Sequence, residues 1–261
     1  MIPVRRGLLP WSRGLLFLLC LLMAFPAQGF SHNFAPGKTK RLRSRTSSNL
    51  AHDNHYLFGP SAIPMERGTG YYQNQDILMH SVHYAPTDGL TIGGGVQAAS
   101  LFSSLAAGSH GPMFHVRMNG GGSVGNGLHM GGFVMGVRIG TDLSLNDEVR
   151  LPTTIGLGAA QATFGTDPFQ VTVSIGTTVD RTGAGDGPLV SLAGLWHITE
   201  HVAFITENWN IPFGPEQYRI YSYGARITHR AMAFDAAFAI NEDLGEIFFL
   251  GVPVLGFSLR L

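Results

Sequence analysis

Thiols are almost missing from this chain. The one cysteine, Cys20, lies in an apolar run near the N-terminus, behind Leu18 and Leu19, where processing of a lipid-anchored cysteine wants small residues. If that run is removed as an export signal, disulfides, thiolate metal sites and cysteine nucleophiles are excluded together. Charge is scarce as well. Only 13% of the residues are charged and 44% are hydrophobic, against about 25% charged in an ordinary soluble domain. The formal net charge is zero, which leaves no basic footprint for nucleic acid. Beyond Gly29 there is no apolar run of the roughly 18 residues that would mark a membrane helix. A mean hydropathy of +0.14 with 35 glycines fits the other route across a bilayer, in which strands satisfy one another's backbone groups and closure removes the edges.

What is present divides the chain in three. Arg5, Arg6 and Arg13 accompany an apolar run over residues 15–25, followed by Pro26, Ala27, Gln28 and Gly29. That order reads as a secretory signal over residues 1–29, since the run is about half the roughly 20 residues a spanning helix needs. Residues 30–54 set Lys38, Lys40, Arg41, Arg43 and Arg45 among Ser, Thr, Asn and His, a flexible, solvated basic tail. Residues 55–261 carry the fold.

There the pattern is period two. Phe169, Val171, Val173, Ile175 and Val179 alternate with Gln170, Thr172, Ser174, Gly176 and Asp180. Tyr221, Tyr223, Ala225 and Ile227 alternate in the same way with Ser222, Gly224, Arg226 and Thr228, and residues 232–241 repeat the pattern. Period two separates such sets onto opposite faces of a strand. A soluble sandwich alternates in the same way. Connections favour a barrel instead: tight turns near residues 86–89, 165–168, 198–201 and 227–230 interleave with longer ones near 59–69, 100–111, 141–149, 180–187, 211–217 and 241–245. Short turns on one rim and long loops on the other are how transmembrane barrels are built. A Gly-rich turn near residues 120–127 completes the alternation. The expected fold is an all-β, transmembrane, antiparallel up-and-down barrel of about 12 strands, in a range of roughly 10–14. Its first strand is placed at residues 54–58 and its second at 70–85, with both ends of the barrel on one side.

The last residues, Gly256 to Leu261, put Phe257, Leu259 and Leu261 on one face and Ser258 and Arg260 on the other. This resembles the terminal strand through which outer-membrane barrels meet the barrel-assembly machinery, although those more often finish in an aromatic residue. Tyr56-Leu57-Phe58-Gly59-Pro60-Ser61-Ala62, Gly68-Thr69-Gly70-Tyr71-Tyr72-Gln73-Asn74, Tyr84 with Thr87 and Asp88, Thr206-Glu207-Asn208 and Tyr223-Gly224-Ala225-Arg226 resemble uncharacterised outer-membrane β-barrel proteins of the Bacteroidota group. The resemblance covers roughly residues 56–261. It implies fold and an outer-membrane location, with outer-membrane lipid as the surroundings, and brings no assigned activity.

If the apolar faces meet lipid, the inward faces carry Arg117, Arg138, Glu207, Arg226, Asp235 and Arg260. A charge facing lipid at mid-depth costs about 2–4 kcal/mol, so these six are the candidate lumen charges. They are either ion pairs that brace the wall or a constriction that selects solutes. Glu207, Arg226 and Asp235 fall on consecutive expected strands and become neighbours if register allows.

No metal or other cofactor is expected. His80 and His83 are three apart, the wrong spacing for one face of a strand, and His197 and His201 flank a turn. Nor does a hydrolase constellation assemble from Ser109, His110, His115, Glu207 and Asn208. Gly93-Gly94-Gly95 and Gly120-Gly121-Gly122 do not continue into a phosphate loop. The expected function is non-enzymatic: a passive, porin-like channel for small polar solutes. The alternatives are a closed barrel that is structural or binds through its loops, and a lipid-modifying enzyme. The oligomeric state is left open.

Overall fold

The computed structural model describes residues 54–107, 111–138, 144–146, 149–150, 154–166, 168–180, 183–213, 216–241 and 250–261. The expected signal and, apart from Asn54, the basic tail lie outside them. The first strands are β1 (Gly70–Gln75), β2 (Met79–Thr87) and β3 (Leu90–Gln97), followed by helix α1 (Ala98–Ala107), β4 (Phe114–Gly125) and β5 (Leu128–Arg138). A small hairpin, β6 (Ser144–Asn146) and β7 (Val149–Arg150), leads to β8 (Thr154–Thr166), β9 (Phe169–Asp180) and the short β10 (Gly183–Ala184). The rest is β11 (Leu189–His197), β12 (Val202–Phe213), β13 (Glu216–His229), β14 (Met232–Ile240) and β15 (Val252–Arg260).

Twelve of these strands form a closed antiparallel barrel, because β15 pairs with β1 and β8 with β9 while every other neighbour is the next barrel strand in sequence. The seam runs from Tyr71 opposite Arg260 to Gln75 opposite Gly256, and the Leu261 N–H donates to the Gly70 carbonyl at 2.8 Å. β1 therefore begins and β15 ends on the same rim. That rim carries the tight connections, including the two-residue turn Asn126-Gly127, whose φ angles of 50° and 74° are those of a type I′ hairpin. The opposite rim carries the longer ones, together with the short β1–β2 and β12–β13 links.

Burial is inverted relative to a soluble protein. On β9, Gln170, Thr172 and Ser174 are buried while Phe169, Val173 and Ile175 are exposed, Ile175 to 61%. On β13, Ser222 and Arg226 are buried and Tyr221, Tyr223 and Ile227 exposed; on β14, Asp235 is buried and Phe234 exposed. A sandwich in water would bury the apolar set. An outer face of Val, Ile, Phe and Tyr instead suits surroundings that are themselves apolar.

Five expectations are corrected. Residues 54–58 are not a wall strand: the Tyr56 N–H donates to the Gly59 carbonyl at 2.8 Å and His55 bridges to Pro60, so this stretch folds into a tight turn while β1 takes the place beside β15. Residues 70–85 are two strands, broken at Asp76 and Ile77 by φ angles of 52° and 65°. The lost strand and the split one offset each other, which is why the total is still twelve. Gly120 to Gly122 lie within β4, where Gly121 faces inward. The connection after β3 contains α1, whose Ala- and Leu-rich sequence has high helix propensity, and β12 and β13 run on until only residues 214–215 separate them.

Candidate functional site

The barrel interior is occupied by the chain itself. Asn54, His55, Tyr56, Leu57, Ser61 and Ala62 are buried in the half of the lumen nearer the tight turns, because wall side chains satisfy their backbone groups. Arg226 on β13 is fully buried, at 0% exposure, and lies directly opposite Asp235 on β14. Its Nε donates to Asp235 Oδ1 at 2.7 Å and its Nη2 to Oδ2 at 2.9 Å. The same guanidinium donates to the carbonyls of His55 (2.9 Å) and Tyr56 (3.1 Å). Glu207 on β12, 1% exposed, takes the other end of the turn. Its Oε2 accepts from the Phe58 N–H, and its Oε1 from the Gly59 N–H and from Trp209 Nε1, each at 2.7 Å.

Neutral side chains complete the cradle. Gln161 Nε2 donates to the Pro60 carbonyl and the Ala62 N–H to Thr163 Oγ1, both at 2.8 Å. The Tyr56 hydroxyl meets Thr172 Oγ1 at 2.7 Å, and Gln75 donates to the Leu57 carbonyl. Tyr56 and Leu57 pack on Leu195, Ala203, Ile205 and Val254 of the wall. His55 stacks on Tyr71 at 4.7 Å, and Tyr71 on His83 at 4.5 Å. At the far end Gly121 admits the chain: a Cβ there would lie 2.2 Å from the Ala62 carbonyl oxygen. A cation on the carbonyls and an anion on the N–H groups hold this turn at both of its ends, and charge-assisted bonds of that kind are about twice as strong as neutral ones.

No family model matches the chain, and none of the curated proteins matches it. Solved structures do. One, a KdgM porin in complex with disordered oligogalacturonate, has a TM-score of 0.46 at 8% identity, covering 74% of this chain and 95% of that one. A second, reported under the words "Unveiling the Mechanism Behind the in-meso Crystallization of Membrane Proteins", has a TM-score of 0.39 at 10% identity, covering 74% and 83%. Both likenesses are remote, and the chemistry of the lumen is this chain's own.

Of the six candidate charges, Glu207, Arg226, Asp235 and Arg117 are buried inside. Arg226 and Asp235 are cross-strand partners, whereas Glu207 stands opposite Ser222 and meets Arg226 only through the turn they share. Arg117 Nη1 donates to the Phe58 carbonyl at 3.3 Å and its Nη2 to the Tyr71 hydroxyl at 2.7 Å. Arg260 lies at the tight-turn rim, where it pairs with Glu66 at 3.4 Å. Arg138 is a correction: it shares the outward face of β5 with Val134 and is exposed at the loop rim, where a guanidinium reaches water without crossing the apolar band.

The histidines go separate ways. His80 faces outward with Nδ1 2.6 Å from the Tyr72 hydroxyl, and His83 faces inward with Nε2 3.1 Å from Ser81 Oγ. Among the described residues no three His, Asp or Glu side chains gather as a metal-holding group. What the sequence reading missed is the apolar loop-side half of the lumen. Phe133, Ile155, Leu157, Leu189 and Trp209 cluster there, and the signal was present in the succession Phe133-Val134-Met135, apolar on both faces of one strand.

Proposed function

We propose that this protein is an outer-membrane β-barrel whose lumen is closed by its own segment 54–62, and that it works as a closed binding or envelope-bracing barrel. One observation carries the closed reading: Glu207 and Arg226, the two most deeply buried charges of the wall, each make two hydrogen bonds to the backbone of that segment. The membrane reading is supported by the inverted burial and by the even strand number with tight turns on one rim. The outer membrane is the place for such barrels, and a secretory signal over residues 1–29 would deliver the chain to it. The motifs that resemble Bacteroidota outer-membrane barrels support the same assignment, since residues 56–62, Glu207 and Arg226 among them meet in one cradle. Insertion would proceed through β15 and the assembly machinery, as for other barrels of this kind.

The test is electrical. Purified protein in planar bilayers is expected to show no steady conductance, while a variant lacking residues 54–62 is expected to conduct, because the half-lumen it vacates is lined by Thr163, Thr172, Ser174, Ser222 and Ser258. That polar lining favours a second reading, a channel for small polar solutes that opens when the segment leaves. Steady conductance by the full-length protein would overturn the closed reading and support the channel.

A further inference from the structure

Above the tip of the inner segment the lumen holds a cavity of about 140 Å³. Phe58, Phe133, Leu157, Trp209 and Ile211 line it together with Arg117. Its walls are apolar and partly aromatic, with Phe133 edge-on to Trp209 at 6.2 Å and 84°. Phe58 leaves 37% of its surface uncovered there, although it belongs to a segment otherwise packed inside the barrel.

Arg117 does not fit an apolar wall. It is only 7% exposed, and its Nε has no hydrogen-bond partner. Its other nitrogens reach a carbonyl, a tyrosine hydroxyl and, at 3.3 Å, His83 Nδ1. All three are formally neutral, and among the described residues no carboxylate forms an ion pair with it. The other buried cation, Arg226, has Asp235, and the buried anion Glu207 has three N–H donors. A buried charge without a counter-charge is costly unless something supplies one.

We infer that this cavity is a binding site for a small amphiphilic carboxylate, a monoanion about one aromatic ring in size, whose ring sits against Phe133 and Trp209 and whose carboxylate takes the counter-ion place on Arg117. The size follows from the volume, since a dry cavity of about 150 Å³ lined by Leu, Ile and Phe accommodates benzene. The anion follows from the guanidinium, whose planar donors match a carboxylate. The site rests on the closed reading, because Phe58, Gly59 and Pro60 form its floor.

Calorimetric titration of the full-length protein in lipid nanodiscs tests it with two probes of one shape, benzoate and benzyl alcohol. Benzoate is expected to bind about tenfold or more tightly than the alcohol, the scale of one charge-assisted hydrogen bond. Leu157→Trp, which fills the cavity and leaves Arg117 and the cradle intact, is expected to abolish benzoate binding, and Arg117→Gln to remove the preference for the anion. No benzoate binding, equal affinity for the two probes, or full binding by Leu157→Trp would overturn the site. If Arg117→Gln fails to fold, the comparison of probes on the unaltered protein decides. A protein that neither conducts nor binds benzoate refutes this site and leaves the closed barrel standing; steady conductance refutes the closed barrel itself.

Discussion

At the scale of single residues, Arg226 shows how a buried charge is tolerated when it has defined partners. Arg226 has no contact with solvent, and four acceptor positions, two on Asp235 and two on the inner segment, surround its guanidinium. Removing Asp235 would leave a buried cation with backbone carbonyls alone. Asp235→Ala is therefore expected to destabilise the refolded barrel by about 3–5 kcal/mol, measured as a shift in the urea unfolding midpoint in micelles. A loss under about 1 kcal/mol, the size of an exposed pair, would show that water reaches this part of the lumen. Gly121 makes a second test. With the Ala62 carbonyl 2.2 Å from the place a Cβ would take, Gly121→Val is expected to push the inner segment off β4. Amide hydrogen exchange over residues 54–63 should then quicken while the barrel strands stay protected; unchanged exchange would argue that the segment lies elsewhere.

At the scale of elements, β15 is the strand on which closure depends. It pairs on one side with β14, through Phe234 opposite Phe257 and Met232 opposite Leu259, and on the other with β1, through Tyr72 opposite Leu259. Deleting residues 257–261 would strip backbone partners from both neighbours at once, and unpaired N–H and C=O groups in an apolar medium cost several kcal/mol each. The truncated chain is expected to yield no heat-modifiable, protease-resistant form on gels. A compact band surviving the deletion would mean that some other pairing closes the seam. The inner segment behaves differently as an element. It contributes no strand to the ladder, so the variant lacking residues 54–62 is expected to keep the heat-modifiable form that the β15 truncation loses.

At the scale of the whole molecule, the interior is divided along its axis. The half nearer the tight turns is filled by the inner segment, with Thr163, Thr172, Ser222 and the buried ion pair on part of its wall and an apolar patch of Leu195, Ala203 and Ile205 under Tyr56 and Leu57. The half nearer the long connections is apolar and holds the cavity. A water-filled pore calls for a polar interior along its length. An apolar chamber above an occupied base suits retention of a small amphiphile better than its free passage. The two halves also predict different responses: loss of residues 54–62 should raise conductance and weaken benzoate binding in the same preparation.

The amino-acid sequence by itself determined most strand faces and the tight turns near residues 86–89, 165–168, 198–201 and 227–230, because both are local. Period two assigns Gln170, Thr172 and Ser174 to one face and Phe169, Val173 and Ile175 to the other, whatever the partner strand, and low charge with abundant glycine pointed to a closed barrel. It also placed Glu207, Arg226 and Asp235 inside, by the cost of turning them toward lipid. Register and occupancy were decided only by the tertiary structure. That Arg226 faces Asp235 across one ladder depends on hairpin geometry, and a slip of one residue would have turned either outward. Residues 54–58, expected as the first wall strand, became the inner segment instead, because β1 and β15 complete the hydrogen-bonded ring without them. Their backbone groups found partners more than a hundred residues away, at Glu207 and Arg226, and no pattern along the chain encodes a separation of that length.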